Sequence, residues 1–346
     1  MEFPSKKRQW INMKKTLVAL LVASAATSVN AAEVFKTDDV SVDFYGQIRQ
    51  SVKFTDGENK DGDNIDPKIN SGSSRIGLDF TYKALEEGLD VVGKFEYGVD
   101  TGNDRDNDLF IRQHYIGLST EFGVMTFGKH SPLYDDVYGA IYAYEYDLAP
   151  FRSGFRTEDD KADGGFEDNF WQTSAIKYQL DLDNSWIKAQ YNLAENNSNP
   201  ELFELYVGTS YDALSLHIGG ASMSDKTETG NVDSTYFEAT AEYALGKGVI
   251  GFTYAYNKDK NKVANTKVES DGFHLGAKYE VASKTSLYGG GQFINSKKEE
   301  ADVTNLYLGV EYMFAKWART YVEYNFNDTD GKSDVNNLAI GARVYW

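Results

Sequence analysis

Val42-Asp43-Phe44-Tyr45-Gly46-Gln47-Ile48-Arg49-Gln50-Ser51-Val52-Lys53 keeps a two-residue rhythm. Val42, Phe44, Gly46, Ile48 and Val52 alternate with Asp43, Tyr45, Gln47, Arg49, Ser51 and Lys53. Neighbouring side chains of a strand point to opposite faces, so this stretch has one apolar and one polar face. A soluble sandwich would turn the apolar face inward, whereas a barrel in lipid turns it outward. The number, spacing and ends of the strands separate the two readings.

The rhythm recurs in segments 74–83, 89–99, 109–119, 124–129, 170–180, 185–193, 202–211 and 214–223. It continues in 235–244, 249–257, 272–281, 285–294, 303–314, 319–326 and 335–346. Together these predict 16 strands of roughly ten residues, the length and even number of outer-membrane barrels. Connections alternate between short and long. Short turns fall at 84–88, 120–123, 181–184, 212–213, 245–248, 282–284 and 315–318. Long polar loops fall at 55–72, 101–107, 130–169, 194–200, 224–233, 258–270, 295–302 and 327–334. Aromatics gather near strand ends, among them Tyr256, Tyr312, Phe314, Trp317, Tyr324 and Trp346. That is the pattern of membrane-interface girdles. Pro4, Pro67, Pro132, Pro150 and Pro200 all lie outside the strand segments, as a continuous hydrogen-bonded ladder requires.

One segment has no strand rhythm. Residues 130–169 run from His130-Ser131-Pro132 through Tyr142, Tyr144, Glu145, Tyr146 and Asp147 to Asn169. A long irregular segment in a compact domain is either disordered or functional. Disordered segments are poor in aromatics and this one is rich in them, which predicts a packed loop folded into something hollow.

The first 31 residues read as an export signal with an extension. Met13-Lys14-Lys15 is a basic start, residues 17–26 are an apolar run too short to span a bilayer, and Val29-Asn30-Ala31 is a small-residue cleavage site. Residues 1–12 precede a plausible initiator and are excluded from the fold. Residues 32–346 then form a single barrel domain. The removed segment holds five Lys/Arg and one acid, so the charge moves from −18 to −22. Such acidity argues against nucleic-acid binding and favours small cations. The sequence has no cysteine, so the fold is held without disulfides. No later run of 18 apolar residues predicts a membrane helix, but an exported chain can also span a membrane as a closed barrel.

Catalytic and cofactor signals are lacking. His114, His130, His217 and His274 fall on different hairpins, and no nucleophile-elbow, zinc-protease or phosphate-loop motif occurs. Asp56-Gly57-Glu58-Asn59-Lys60-Asp61-Gly62-Asp63 has calcium-like acids but lacks the spaced Glu of an EF-hand loop. No catalytic residue, metal or cofactor is assigned.

The chain resembles the general diffusion porins of Gram-negative outer membranes, the trimeric OmpF/OmpC type, over essentially all of residues 32–346. The resemblance lies in Ala32-Glu33-Val34-Phe35, Val42-Asp43-Phe44-Tyr45-Gly46, Ser74-Arg75-Ile76-Gly77-Leu78 and Arg112-Gln113-His114-Tyr115-Ile116-Gly117-Leu118. Phe122-Gly123-Val124-Met125-Thr126-Phe127-Gly128-Lys129, Thr320-Tyr321-Val322-Glu323-Tyr324 and the aromatic C-terminus complete it. It implies an all-β, transmembrane antiparallel β-barrel of 16 strands. Turns would face the periplasm and long loops the outside, and the third loop (about 130–169) would fold into the lumen. It also implies a passive, water-filled channel for small hydrophilic solutes, assembled as a homotrimer.

The family sets basic wall residues against acids of that loop. Arg75 and Arg112 match two of the arginines. Gln47 stands where a wall lysine is expected, Trp171 near another arginine, and Trp346 replaces the terminal Phe. The loop's usual Pro-Glu-Phe-Gly-Gly is absent, with Glu145 and Asp147 near its place. Arg75 and Arg112 facing Glu145 and Asp147 would set a transverse field, with Arg49 partly replacing the charge missing at Gln47. A thinner basic wall and the acidic charge predict cation preference. Lys129 matches a position that meets a neighbouring subunit's second loop, where Asp104, Asp106 and Asp108 are candidate partners. Acidic loops could reach lipopolysaccharide phosphates through divalent cations. Tyr142, Tyr144, Tyr146 and Trp171 hint at the alternative, a sugar-type specific channel, which saturable solute block would reveal. An outer-membrane enzyme would lose activity on loss of a nucleophile or acid pair. A soluble β protein would not need detergent for extraction.

Overall fold

Strands form at all sixteen expected places, and each pairs antiparallel with its neighbour in sequence. The structure is a computed structural model that describes residues 32–56, 66–83, 88–99, 109–137, 139–146, 172–226, 231–297 and 302–346. In chain order the strands begin with β1 (Ala32–Lys36), β2 (Val40–Asp56), β3 (Lys68–Asn70), β4 (Arg75–Lys83), β5 (Leu89–Val99), β6 (Leu109–Thr120) and β7 (Gly123–His130). One turn of helix, α1 (Leu133–Asp136), precedes β8 (Gln172–Asp181), β9 (Ser185–Asn192), β10 (Glu201–Tyr211), β11 (Leu214–Asp225) and β12 (Val232–Leu245). The remainder are β13 (Gly248–Asn261), β14 (Thr266–Ala282), β15 (Thr285–Ser296), β16 (Val303–Ala315), β17 (Ala318–Thr329) and β18 (Val335–Tyr345).

Of these 18 strands, 16 make the wall. β1 and β3 are short strips beside β2, which pairs with β18 and β1 along one edge and with β4 and β3 along the other. The β18–β2 ladder closes the barrel, and Gly46 exchanges both backbone hydrogen bonds with Trp346, at 2.9 and 3.1 Å. Closure leaves the 16-stranded wall no open edge among the described residues, which is what lets a sheet cross lipid.

Polarity decides which face is inside. On β16, Leu306, Leu308, Val310 and Tyr312 are exposed, Leu308 at 62%, while Asn305 and Glu311 are 1% exposed. The same inversion holds on β17, where Val322 and Tyr324 point out and Glu323 and Asn325 are buried. An apolar outer band over a polar interior is stable only when lipid replaces water outside. The aromatics Phe122, Trp317 and Tyr211 sit exposed at the short turns, at the level of one interface. Those turns use left-handed residues, Gly246 at φ 58° and Asp212 at φ 51°, types that tolerate that conformation.

One expected loop is mostly strand. The connection placed at 258–270 shrinks to a turn at 262–265, because β13 runs on to Asn261 and β14 starts at Thr266. Here charged residues alternate with polar ones, so an apolar rhythm misses the extension. The pairing Lys258↔Glu269 shows how opposite charges across strands support it.

A second core lies inside the lumen. Leu133, Tyr134 and Val137 pack on inward-facing Leu202, Tyr206 and Met223 of β10 and β11. Full burial of one such side chain stabilises by about 1.5–3 kcal/mol. This patch pins the root of the long segment to one side of the barrel.

Candidate functional site

The described part of the long segment leaves β7 and follows the inner wall across several strands. Pro132 opens α1 at φ −65°, ψ 158°. The first helical N–H groups, of Leu133 and Tyr134, then donate to the buried Glu204 carboxylate of β10 at 2.9 and 3.3 Å. Asp136 pairs with Lys177 of β8. Ala140 N–H donates to Thr253 Oγ1 of β13 at 2.8 Å, and the Tyr142 hydroxyl donates to Glu242 of β12 at 2.6 Å. The path ends on β17, where the N–H groups of Tyr144, Glu145 and Tyr146 donate to Glu323 at 2.6, 3.0 and 2.8 Å. The Tyr288 hydroxyl adds a fourth donor at 3.0 Å. Two donors on each oxygen leave Glu323 no room for a proton of its own, so it is a carboxylate.

Tyr144 is set into the wall like a key. Its hydroxyl receives Arg319 Nη1 at 3.0 Å and Lys278 Nζ at 3.2 Å and donates to Glu311. Its ring packs on Tyr321 at 4.6 Å and edge-on to Tyr288 at 5.2 Å. Glu145 lies beside it, paired with Lys53 Nζ at 2.8 Å and Arg343 Nη2 at 3.8 Å, and takes the Tyr321 hydroxyl. Burial alone would raise the Glu145 carboxyl, but Lys53, the Tyr321 hydroxyl and Arg343 outweigh it and hold the group below its ordinary value of 4.5.

Next along the same wall, on β2 and β4 to β6, a second cluster forms. Glu96 takes Arg112 Nε at 2.7 Å, Arg75 Nε at 3.4 Å and the Tyr45 hydroxyl at 2.9 Å. Arg75 is the more accessible arginine, with 30% of its side chain exposed against 10% for Arg112. Beside this cluster Lys94 pairs with Asp79 at 3.1 Å. Gln47 donates to the Ser73 carbonyl at 2.6 Å and receives Arg49 Nη2 at 3.1 Å.

Arg75 and Arg112 are thus brought together, but on Glu96. The expected facing of these arginines and Glu145 takes a different form, because each charge finds an opposite partner on the nearest wall. Arg319, Arg343 and Arg49 are successive cross-strand partners on β17, β18 and β2, forming a row on the lumen face. Lys129 is half-buried, and its register partner is the exposed His114 of β6. Asp147, Trp171, Asp104, Asp106 and Asp108 lie outside the described residues. Glu96, Glu323, Arg343, Lys53 and Tyr144's wall partners escaped sequence reasoning as site residues. Their only local mark is parity, since each lies on the polar face of its strand.

A closed barrel of 16 wall strands, polar within and narrowed by an internal segment, is a diffusion channel in form. The family model described as Gram-negative porin matches residues 17–332. The chain belongs to this family. This porin is 32% identical to Outer membrane protein U of Vibrio vulnificus over 210 residues, covering 59% of this chain and 55% of that protein. It is 28% identical to Outer membrane protein U of Vibrio parahaemolyticus, covering 77% of this chain and 86% of the relative. Among solved structures, in-vitro folded OmpT of Vibrio cholerae superposes with a TM-score of 0.76 at 34% identity, over 91% of this chain and 100% of that one. An anion-selective porin from Comamonas acidovorans shares the fold, with a TM-score of 0.75 at 18% identity over 89% of this chain and 100% of that one. As a porin the chain is an outer-membrane general diffusion channel of a Gram-negative bacterium.

Proposed function

We propose that this porin works as a homotrimer of passive channels that pass small hydrophilic solutes and prefer cations, without a catalytic step. The observation that carries the preference is the state of Glu323. Its charge is met by N–H and O–H dipoles alone, whereas Arg75 and Arg112 are met by Glu96, Arg319 by Glu311 and Arg343 by Glu145. Glu323 thus adds a carboxylate with no cation set against it, and the chain's charge of −18 adds a negative field around the pore. Arg75, Arg112, Arg49, Gln47, Glu145, Asp147 and Trp171 line the narrow section in this reading. Two of the three tyrosines that hinted at a sugar channel are occupied, Tyr142 by Glu242 and Tyr144 by its wall pocket.

Solved OmpT of Vibrio cholerae has been described in a trimer form, which supports the same assembly here. Lys129 would contact Asp104 and Asp106 of a neighbour, and Lys129→Glu should yield a trimer that dissociates at lower temperature on gels. Acidic loops would bind outer-leaflet lipopolysaccharide through divalent cations. Residues 13–31 would serve as the export signal, cleaved after Ala31.

The reversal potential across a KCl gradient in a planar bilayer tests the central reading. A cation-selective potential supports it. An anion-selective potential overturns the preference and assigns control to the arginine row.

A further inference from the structure

The extended β13–β14 hairpin carries an unusual outer face. Lys258, Lys260 and Lys262 follow Tyr254 and Tyr256 at two-residue steps, so they share the outward side while Asn257 and Asp259 are buried inward. Register brings Lys267 of β14 opposite Lys260, and Lys297 follows the outward face of β15. Directly below lie Phe252, Tyr254, Phe273 and Phe293, exposed members of the lipid-facing band. The lysines therefore begin where the aromatic band ends. At corresponding outer positions above that band, β2, β10 and β17 present Asp56, Glu201 and Asp328 instead. A positive strip on so acidic a chain is local and placed.

We propose that Lys258, Lys260, Lys262, Lys267 and Lys297 bind the phosphate groups of outer-leaflet lipopolysaccharide directly, without a bridging divalent cation. The strip sits at headgroup height on the long-loop side. On a strand tilted about 45°, lysines two residues apart differ by about 5 Å in height. Three of them thus span about 10 Å, enough to meet more than one phosphate of a glycolipid headgroup. Their present partners are partly exposed carboxylates at the surface. Lys258 and Lys267 share Glu269 at 4.0 and 2.6 Å, and Lys262 holds Asp233 at 2.8 Å. Surface pairs of this kind are worth little and yield readily to a multiply charged anion. Lys297 lies 5.6 Å from the Tyr256 ring, which leaves its ammonium turned along the interface. Lysine stems cover apolar surface while their heads reach charge, as the boundary of a membrane favours. The inference rests on the reading that the long loops face outward, and it replaces cation bridging by direct contact at this one face.

The test uses the full-length folded protein in detergent with EDTA present. Bisphosphorylated lipid A and its dephosphorylated counterpart are compared by native mass spectrometry, and conductance is measured on the same preparation. We expect the phosphorylated lipid to bind at least about tenfold more tightly, as a few lysines near one anionic headgroup imply. Lys258→Gln/Lys260→Gln/Lys262→Gln should abolish that excess, whereas Lys247→Gln, at a short turn on the other side, should not. Binding that vanishes with EDTA in the unchanged protein would overturn the proposal in favour of cation bridging. Equal losses in the triple variant and Lys247→Gln would overturn it in favour of diffuse charge. Conductance separates the two readings, since a channel that conducts but does not retain lipid rejects the lysine site alone.

Discussion

Arg343 sits over the Tyr144 ring, its guanidinium carbon 4.3 Å from the centroid, while Nη2 donates to the carbonyl of that same tyrosine at 2.7 Å. One arginine of the last strand thereby holds both the backbone and the side chain of the constricting segment. Stacking of this kind contributes about 0.5–2 kcal/mol beyond the hydrogen bond.

Tyr144→Ala should free the segment where it meets β17. It removes the hydroxyl that joins Glu311, Arg319 and Lys278 and opens a cavity, costing the loop roughly 3–5 kcal/mol of anchoring. Single-channel recordings should show larger and noisier conductance with the barrel still resistant to heat. Tyr144→Phe should give a smaller change, because the Arg319–Glu311 pair at 3.1 Å remains.

Glu96→Gln should shift selectivity toward anions. Arg75 and Arg112 would keep their positions in the wall but lose the carboxylate they share. Breaking a buried pair costs about 3–5 kcal/mol. Both a more anion-favouring reversal potential and a lower unfolding temperature are expected. An unchanged potential would show that these arginines lie outside the ion path.

Gly341→Ala probes a close approach. A Cβ there would collide with the Tyr321 hydroxyl and ring. Overpacking of this kind costs about 1–3 kcal/mol. Displacing Tyr321 should also loosen Glu145, so a thermal shift on gels and a change in conductance should appear together.

Acid should loosen the constriction. The Glu145 carboxyl sits below its ordinary value of 4.5, so the folded state favours the charged form. Its contribution is fully present above 4.5 and is lost as pH falls through the lower folded value. Conductance recorded from pH 7 downward should therefore include a step below about 4.5 that Glu145→Gln removes.

Much of this architecture was legible in the sequence because strand parity is a local property. Ile48 and Arg49, adjacent in the chain, must point to opposite faces wherever β2 lies, and sixteen such segments with short and long connections leave few closed forms. The long aromatic segment at 130–169 marked itself by breaking the rhythm. Parity also told which charges would face the lumen, but not which would meet. The hairpin end at Lys258–Lys262 escaped notice because its alternation is charged against polar, which an apolar rhythm does not report.

Only the closed barrel decided the partners. Tyr144 meets Arg343 across 199 positions of sequence and Glu323 across 179, separations over which no local pattern carries information. Closure of β18 on β2 lined up Arg319, Arg343 and Arg49, and the path of the segment along β10, β13 and β17 gave Glu145 to Lys53 and Arg343 and left Arg75 and Arg112 to Glu96. The sequence alone determined which side chains face in and which face out, since two-residue periodicity is a property of each strand by itself. The tertiary structure decided the electrostatics of the pore, since a buried charge settles on whichever opposite charge the folded chain brings nearest.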